Sequence, residues 1–270
     1  MPFVSVLSRR IEVQQIDVRS GGPTIVLLHE GLGSIAMWKD FPGRLAHACN
    51  ANVVVYSRYG YGQSDPLDAP RRPDFMHVEA QQALPELLDR LEVDAPILVG
   101  HSDGGSIALL YAAHAARQGR SLPGIVVMAP HVLVEDISLS SISVARTAYL
   151  QGDLRARLER YHADVDSAFW GWNDIWLAPA FRDWNIEDCL PDIRCPILAV
   201  QGEDDEYGTM DQIERIGRGA PDVDSLRLED CRHSPHRDQP DVVLAAITQF
   251  VDRLGAPATG ESAPQPLFSR

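Results

Sequence analysis

Cysteine is scarce in this chain: four occur among 270 residues, and no two have the Cys-x-x-Cys spacing of a metal or redox motif. They are Cys49, Cys189, Cys195 and Cys231. A chain of this length can bury a full hydrophobic core without covalent cross-links. We therefore expect free, buried thiols and a reducing compartment, because disulfides form mainly in oxidising ones.

Basic residues are also in short supply, with 24 Lys and Arg against 38 Asp and Glu and a formal net charge of −14. This charge repels polyanions, so we expect no nucleic-acid partner. Long apolar runs are missing as well: residues 1–10 place their basic pair after a short apolar stretch and lack the sustained run of an export signal. The expectation is a cytoplasmic protein with no membrane anchor and a small-molecule substrate. The sequence leaves a homodimer open.

Motifs that hold phosphates or metals are absent. The chain contains neither G-x-G-x-x-G nor G-x-x-x-x-G-K-[ST], and its nine histidines show no H-E-x-x-H or H-x-x-x-H spacing. We therefore expect no organic cofactor and no metal ion.

The most informative segment that is present is the G-x-S-x-G sequence centred on Ser102. It follows the apolar run 95–99 and precedes the helix-like stretch 106–111. A serine on a sharp turn between strand and helix presents its hydroxyl, and small flanking residues let strand and helix pass closely. Ser102 is the candidate nucleophile, and a purely structural Gly-Ser turn is the alternative.

A serine hydroxyl is a weak nucleophile at neutral pH, so this hypothesis requires a general base, a carboxylate that orients the base and an oxyanion hole. An apolar strand at 196–200 leads into the acidic run at 203–206, and a histidine-containing segment follows at 231–236. Serine, acid and histidine therefore occur in the chain order typical of this turn.

Five motifs follow one another along the chain: the strand and turn at 26–34, the segment 56–64, the Ser102 turn, the strand and turn ending at Asp205, and the His233 loop. In this order they resemble the α/β-hydrolase superfamily, in particular its serine esterases and ring-cleavage-product hydrolases. The resemblance, which runs from about Thr24 to Leu254, implies an α/β-hydrolase fold with a mostly parallel central sheet and helices on both faces. The alternation of apolar strands with helical stretches such as 78–91 and 242–254 favours the same architecture.

Family members commonly carry a helical cap inserted after the sixth strand, which implies a division of this chain. We expect residues 1–130 and 191–255 to form the α/β-hydrolase core, residues 131–190 the helical cap, and residues 256–270 a flexible tail.

The resemblance also implies which acid and base serve the nucleophile. The family pattern Gly-x-x-Asp after the late strand points to Asp205, with Asp204 as the alternative. The pattern around the family's base points to His233, although Arg232 precedes it where glycine is usual, and His236 is the alternative. His233 would then accept the proton of the attacking serine, and Asp205 would stabilise the imidazolium.

The oxyanion hole of such a turn uses the backbone N–H of the residue after the nucleophile, Asp103, and one from the glycine-rich loop 29–33. The second donor is Gly31 or, if Glu30 is an insertion, Leu32; we favour Gly31. Glu30 stands where the family usually has glycine. Because a carboxylate close to a developing oxyanion would repel it, we expect Glu30 to be a structural anchor rather than a reacting acid.

Four of the five tryptophans fall in the predicted cap: Trp170, Trp172, Trp176 and Trp184. Aromatic rings pack cores more often than they line pockets, so most should join the cap to the sheet. One or two of Trp170, Trp172 and Trp176 should contact the substrate.

Three functions fit these residues. The leading one is hydrolysis of a small hydrophobic or aromatic carboxylic ester or lactone through an acyl-enzyme. The second is C–C bond hydrolysis of a ring-cleavage product, which would need a cationic residue such as Arg58, Arg146 or Arg182 for the substrate's carboxylate. The third is a ligand-binding or receptor protein on a hydrolase scaffold, which a complete set of serine, acid and histidine disfavours.

Overall fold

One sheet of eight strands forms the centre of the computed structural model, which describes residues 2–255. The strands are β1 (Phe3–Val6), β2 (Arg9–Ile16), β3 (Thr24–Leu28), β4 (Asn52–Ser57), β5 (Ile97–His101), β6 (Ile125–Met128), β7 (Ile197–Gly202) and β8 (Val223–Leu228). Their order across the sheet is β1-β2-β4-β3-β5-β6-β7-β8. β1 and β2 pair antiparallel, as do β2 and β4, and all other pairs are parallel. The predicted mostly parallel sheet is thereby confirmed.

Within residues 2–255 the α-helices are α1 (Phe41–Ala48), α2 (Phe75–Val78), α3 (Leu84–Arg90), α4 (Asp103–Arg117), α5 (Asp136–Gln151), α6 (Leu154–Leu158), α7 (Val165–Trp176), α8 (Asp211–Gly219), α9 (Pro235–Asp238) and α10 (Pro240–Gly255). Three short 3₁₀ helices occur at Ile35–Trp38, Pro179–Phe181 and Glu187–Asp192. The helix predicted at 78–91 lies in a helical stretch from Phe75 to Arg90, in which a π-helical turn at Glu79–Ala83 connects α2 with α3. Such a turn adds one residue to the helix, so the residues on its two sides are rotated relative to each other.

Both faces of the sheet are covered, and β3 shows how the sequence specifies this. From Ile25 to Leu28 its residues are apolar without interruption, as expected for a strand buried on both sides. Ile25 and Leu27 pack in the same hydrophobic cluster as α1 and α10, whereas Val26 and Leu28 pack with α4 and α8. This confirms the predicted helices on both faces.

The chain between β6 and β7 forms α5, α6 and α7 together with two of the 3₁₀ helices. α5 and α7 are joined by the side-chain amide of Asn173, which donates to the carbonyl of Ile142 at 3.0 Å. The segment contacts the core as well: the Ser138 hydroxyl of α5 donates to the carbonyl of Tyr207.

Three further observations bear on the sequence-based expectations. The four cysteines are free and buried, as predicted. Among residues 2–255, no helix combines the length and apolar character needed to cross a bilayer. The predicted tail at 256–270 lies outside the described residues.

Candidate active site

The turn at Ser102 is built by close packing of backbones. Ser102 has φ 52° and ψ −119°, a conformation in which a non-glycine residue is strained by about 1–3 kcal/mol. The glycines on either side are required by contact: a Cβ on Gly100 would lie 2.2 Å from the carbonyl oxygen of Gly104, and one on Gly104 would lie 2.1 Å from that of Leu28. The strain and the tight packing together direct the serine side chain out of the path of β5 and α4.

A continuous chain of hydrogen bonds joins Ser102, His233 and Asp205 at the carboxyl ends of β5, β7 and β8. The Ser102 Oγ lies 3.0 Å from His233 Nε2, and His233 Nδ1 lies 2.8 and 2.9 Å from the two carboxylate oxygens of Asp205. The alternatives lie elsewhere, since Asp204 is exposed and the His236 ring packs against Trp38 at 4.7 Å. These distances are short enough for proton transfer from a serine to a histidine base.

Asp205 is held as an anion by its surroundings. Burial opposes its ionisation, but the hydrogen bond and charge of His233 outweigh that effect, so the pKa of Asp205 lies below its usual value. Its carboxylate also accepts hydrogen bonds from the backbone N–H of Tyr207 at 2.7 Å and from the Gln201 side chain at 2.7 Å. An anionic Asp205 requires a proton on His233 Nδ1, which leaves Nε2 free to accept the serine proton.

Glu30 is engaged by a buried histidine. Its Oε2 lies 3.4 Å from Nδ1 of His101, whose Nε2 donates to the backbone carbonyl of His233 at 2.7 Å. Burial disfavours both charges, but attraction between the two groups prevails, lowering the pKa of Glu30 and raising that of His101. The negative charge of Glu30 is thus balanced by its partner, although Glu30 still borders the cavity above Ser102.

A cavity of about 150 Å³ lies above Ser102. Its apolar walls include Ile142 of α5 and Trp172 and Trp176 of α7, and Gly31 and Asp103, the predicted oxyanion donors, also line it. Within the described residues, the backbone N–H groups of Gly31 and Asp103 donate to no protein acceptor.

Trp170, by contrast, lies outside this cavity. Its ring packs edge-on against Tyr149 at 5.5 Å and lies 5.2 Å from the guanidinium of Arg146. Of the three candidate substrate contacts, Trp172 and Trp176 therefore remain, and Trp170 is withdrawn. The reason is helical geometry: Trp172 and Trp176 are four residues apart and share a face of α7, whereas Trp170 lies two residues from Trp172 on another face.

The sequence analysis did not assign Tyr207 or His131 to the site, although both line the cavity. The centre of the Tyr207 ring lies 4.7 Å from that of the His233 ring, with the two planes tilted by 41°, and its position two residues after Asp205 was the available signal. His131 follows the carboxyl end of β6, the edge where the other site residues lie, and its ring is 5.8 Å from that of His233. Burial and the neighbouring charge of His233 lower the pKa of His131 to about 3, so it is neutral at physiological pH.

The cavity wall contains buried polar groups that have no hydrogen-bond partner among the described residues. They include the carboxylate of Asp103, the indole N–H of Trp176 and Nδ1 of His131. The Asp103 carboxylate lies 3.6 Å from the fully buried guanidinium of Arg58. Unpaired buried polar atoms are costly, so they are sites where a substrate or ordered water is expected to bind.

A second cavity, of about 240 Å³, lies between the amino-terminal strands and α3, and it contains none of Ser102, Asp205 and His233. Within residues 2–255, no group of three His, Cys, Asp or Glu side chains is arranged to hold a metal ion.

Residues 25–246 match a family model described as "Alpha/beta hydrolase family". A proline iminopeptidase from Heyndrickxia coagulans is 23% identical over 291 residues, covering 93% of this chain and 98% of that protein. The solved enol-lactonase from Burkholderia xenovorans LB400 has a TM-score of 0.73 at 19% identity, covering 93% of this chain and 100% of that one. The meta-cleavage product hydrolase from Pseudomonas fluorescens IP01 has a TM-score of 0.72 at 16% identity, covering 94% of this chain and 98% of that one. The two structural likenesses confirm the predicted fold.

Proposed function

The chain belongs to the alpha/beta hydrolase family, and on that premise we propose that it is a serine hydrolase of small apolar or aromatic carboxylic esters and lactones. One observation carries the proposal: the chain of hydrogen bonds from Ser102 through His233 to Asp205.

The reaction follows from the positions of these groups. Ser102 Oγ attacks the substrate carbonyl and transfers its proton to His233 Nε2, while Asp205 stabilises the resulting imidazolium. The backbone N–H groups of Gly31 and Asp103 bind the oxyanion of the tetrahedral intermediate. His233 then protonates the departing alcohol, and water, activated by the same histidine, hydrolyses the acyl-enzyme.

The cavity limits the size of the acyl group. Its volume of about 150 Å³ is that of a cavity known to accept benzene, so it suits one aromatic ring or a short alkyl chain. The walls from Ile142, Trp172 and Trp176 favour an apolar group. A lactone ring of similar size fits the same space, with its alkoxide remaining attached to the acyl-enzyme.

A second candidate is removal of an amino-terminal residue from a peptide or amide, as the name of the similar proline iminopeptidase suggests. The unpaired carboxylate of Asp103 beside Ser102 favours it, because such a group can bind a substrate amine. The 3.6 Å approach of Arg58 offsets part of that charge, which is why we rank the ester function first.

The structure offers less support for C–C bond hydrolysis, which needs a free cation for the substrate's carboxylate. Arg146 lies 3.6 Å from Asp174, and Arg182 pairs with Asp136. Arg58 lines no part of the cavity above Ser102.

The test is a panel of substrates, each followed by its own product or by the proton that hydrolysis releases. We would compare p-nitrophenyl esters of increasing acyl length, phenyl esters and small lactones with p-nitroanilides of proline and alanine and with a vinylogous diketone. The proposal expects ester and lactone turnover with an optimum at short or monocyclic acyl groups. Turnover of free-amine anilides alone would favour the second candidate, and turnover of none of these substrates would favour a ligand-binding role.

A further inference from the structure

We infer that Arg58 is a positioning residue of the oxyanion hole: it fixes the peptide between Glu30 and Gly31 so that the Gly31 N–H faces the substrate carbonyl. This inference rests on the proposed function, because it concerns the same serine-centred site. Arg58 does not itself contact the substrate cavity.

The carbonyl of Glu30 is held by three donors. Arg58 Nη2 donates to it at 3.0 Å, the backbone N–H of Gly33 donates at 3.0 Å, and His29 Nδ1 donates at 2.6 Å. The His29 proton is on Nδ1 because its Nε2 accepts a hydrogen bond from the backbone N–H of Arg58 at 2.9 Å. The Arg58 side chain therefore acts on this carbonyl directly, whereas the backbone N–H of the same residue fixes the tautomer of His29 and is kept in any non-proline variant.

Holding this carbonyl also sets the direction of the oxyanion donor. The Glu30 carbonyl and the Gly31 N–H belong to one planar trans peptide, in which the C=O and N–H bonds point in opposite directions. Three donors on the oxygen therefore fix the N–H on the other side, where Gly31 borders the cavity. A cation on the carbonyl also polarises the peptide, which strengthens its N–H as a donor.

Arg58 also reaches the second half of the oxyanion hole. Its Nη2 lies 3.6 Å from the carboxylate of Asp103, the residue whose N–H is the other predicted donor. One buried guanidinium thus connects the loop after β3 with the turn after β5. It also places a positive charge behind the point where negative charge develops, and it offsets the charge of the Asp103 carboxylate.

The protein supplies a matched control in Arg71. Arg58 and Arg71 each lie 5.0 Å from the centre of the Tyr61 ring, but Arg71 donates to the carbonyl of Tyr59 and makes no hydrogen bond to the oxyanion loop. Replacing either arginine by methionine removes a cation from the same cluster. Only the Arg58 change removes a hydrogen-bond donor from the Glu30 carbonyl.

The experiment compares Arg58→Met, Arg58→Lys and Arg71→Met with the wild type, each first shown to be folded by circular dichroism and thermal melting. The readouts are kcat and KM on the best ester, affinity for a trifluoromethyl ketone, and the rate at which a fluorophosphonate labels Ser102. Ketone and fluorophosphonate both place an oxygen in the oxyanion hole, and neither requires the natural substrate to be known.

We expect Arg58→Met to lower kcat by about 10²-fold, in the range seen when one oxyanion donor is lost, with KM changed less than about threefold. Ketone affinity and the labelling rate should fall in parallel, Arg58→Lys should recover part of the loss, and Arg71→Met should remain within about threefold of wild type. Equal losses in Arg58→Met and Arg71→Met, or a loss confined to KM, would overturn the inference. If Arg58→Met does not fold, Arg58→Lys alone decides: kcat and labelling equal to wild type would contradict a bond of this specific geometry. A wild type that is never labelled would instead refute the proposed function.

Discussion

The indole of Trp172 lies directly against the backbone of Gly31, so that a Cβ on Gly31 would come within 2.3 Å of the ring. A residue of α7 thus presses on the loop that contains Gly31, the proposed oxyanion donor. The packing of α7 and the position of this loop are therefore coupled at this contact.

Gly31→Ala should lower activity by displacing Trp172 or the loop. We expect kcat on a short ester to fall at least tenfold, because a misplaced donor loses much of its effect. Gly43→Ala is the control, since a Cβ there meets nothing within 4 Å and should leave turnover unchanged. The measurement is steady-state kinetics of the two purified variants. Equal kcat values for Gly31→Ala and Gly43→Ala would show that the contact between Trp172 and Gly31 has no catalytic consequence.

Trp172→Ala should enlarge the cavity and move the acyl preference to longer chains. Trp170→Ala removes the same side chain two residues away, outside the cavity, and should keep the wild-type preference. The measurement is kcat/KM along a series of p-nitrophenyl esters. A shift in both variants, or in Trp170→Ala alone, would contradict the assignment of these two rings.

Asp205→Asn should reduce kcat by about 10⁴-fold, because an amide no longer holds His233 in the tautomer that accepts the serine proton. Asp204→Asn changes an exposed neighbour in the same way and should remain within about twofold of wild type. Single-turnover acylation rates separate this effect from changes in substrate binding. A large loss of kcat in Asp204→Asn would contradict the assignment of Asp205 as the carboxylate that orients His233.

Glu30→Gln should destabilise the protein within a defined pH window. The pKa of Glu30 is lowered from 4.5, so its stabilising effect is present above that value and is lost as the pH falls. The pKa of His101 is raised from 6.5, so its contribution is present below 6.5 and is lost as the pH rises through the folded value. The stability difference between wild type and Glu30→Gln should therefore be largest between these limits, near pH 5–6.

Urea unfolding across pH 4 to 9 measures this difference. Glu203→Gln, which removes an exposed carboxylate, should show no such maximum. If the difference in unfolding free energy between wild type and Glu30→Gln does not change with pH, the ion pair with His101 does not form in solution.

The sequence was sufficient for the strands and for the order of the site motifs. A strand such as β3 is buried on both faces, so its composition alone identifies it. The turn at Ser102 was equally accessible, because the glycines around it are demanded by backbone contacts under 3 Å. Structural requirements of this kind depend on residues that are adjacent in the chain, so the sequence shows them directly.

Relationships between distant residues were not accessible in the same way. Glu30 and His101 belong to different strand ends, and nothing in either segment indicates that they meet. The link between Arg58 and the Glu30 carbonyl likewise depends on how β3 and β4 pair. The separation of Trp170 from Trp172 and Trp176 was accessible, because their helical spacing places Trp170 on another face once α7 is recognised as a helix.

The most direct test of the account is the site at which a fluorophosphonate attaches, read by peptide mass spectrometry in wild type, Ser102→Ala and Ser106→Ala. Ser106 lies one turn further along α4, and its hydroxyl donates to the His131 carbonyl at 2.6 Å. The account predicts one adduct on Ser102 in the wild type and in Ser106→Ala, and none in Ser102→Ala. Labelling that persists in Ser102→Ala, or a folded wild type that never reacts, would contradict Ser102 as the activated nucleophile.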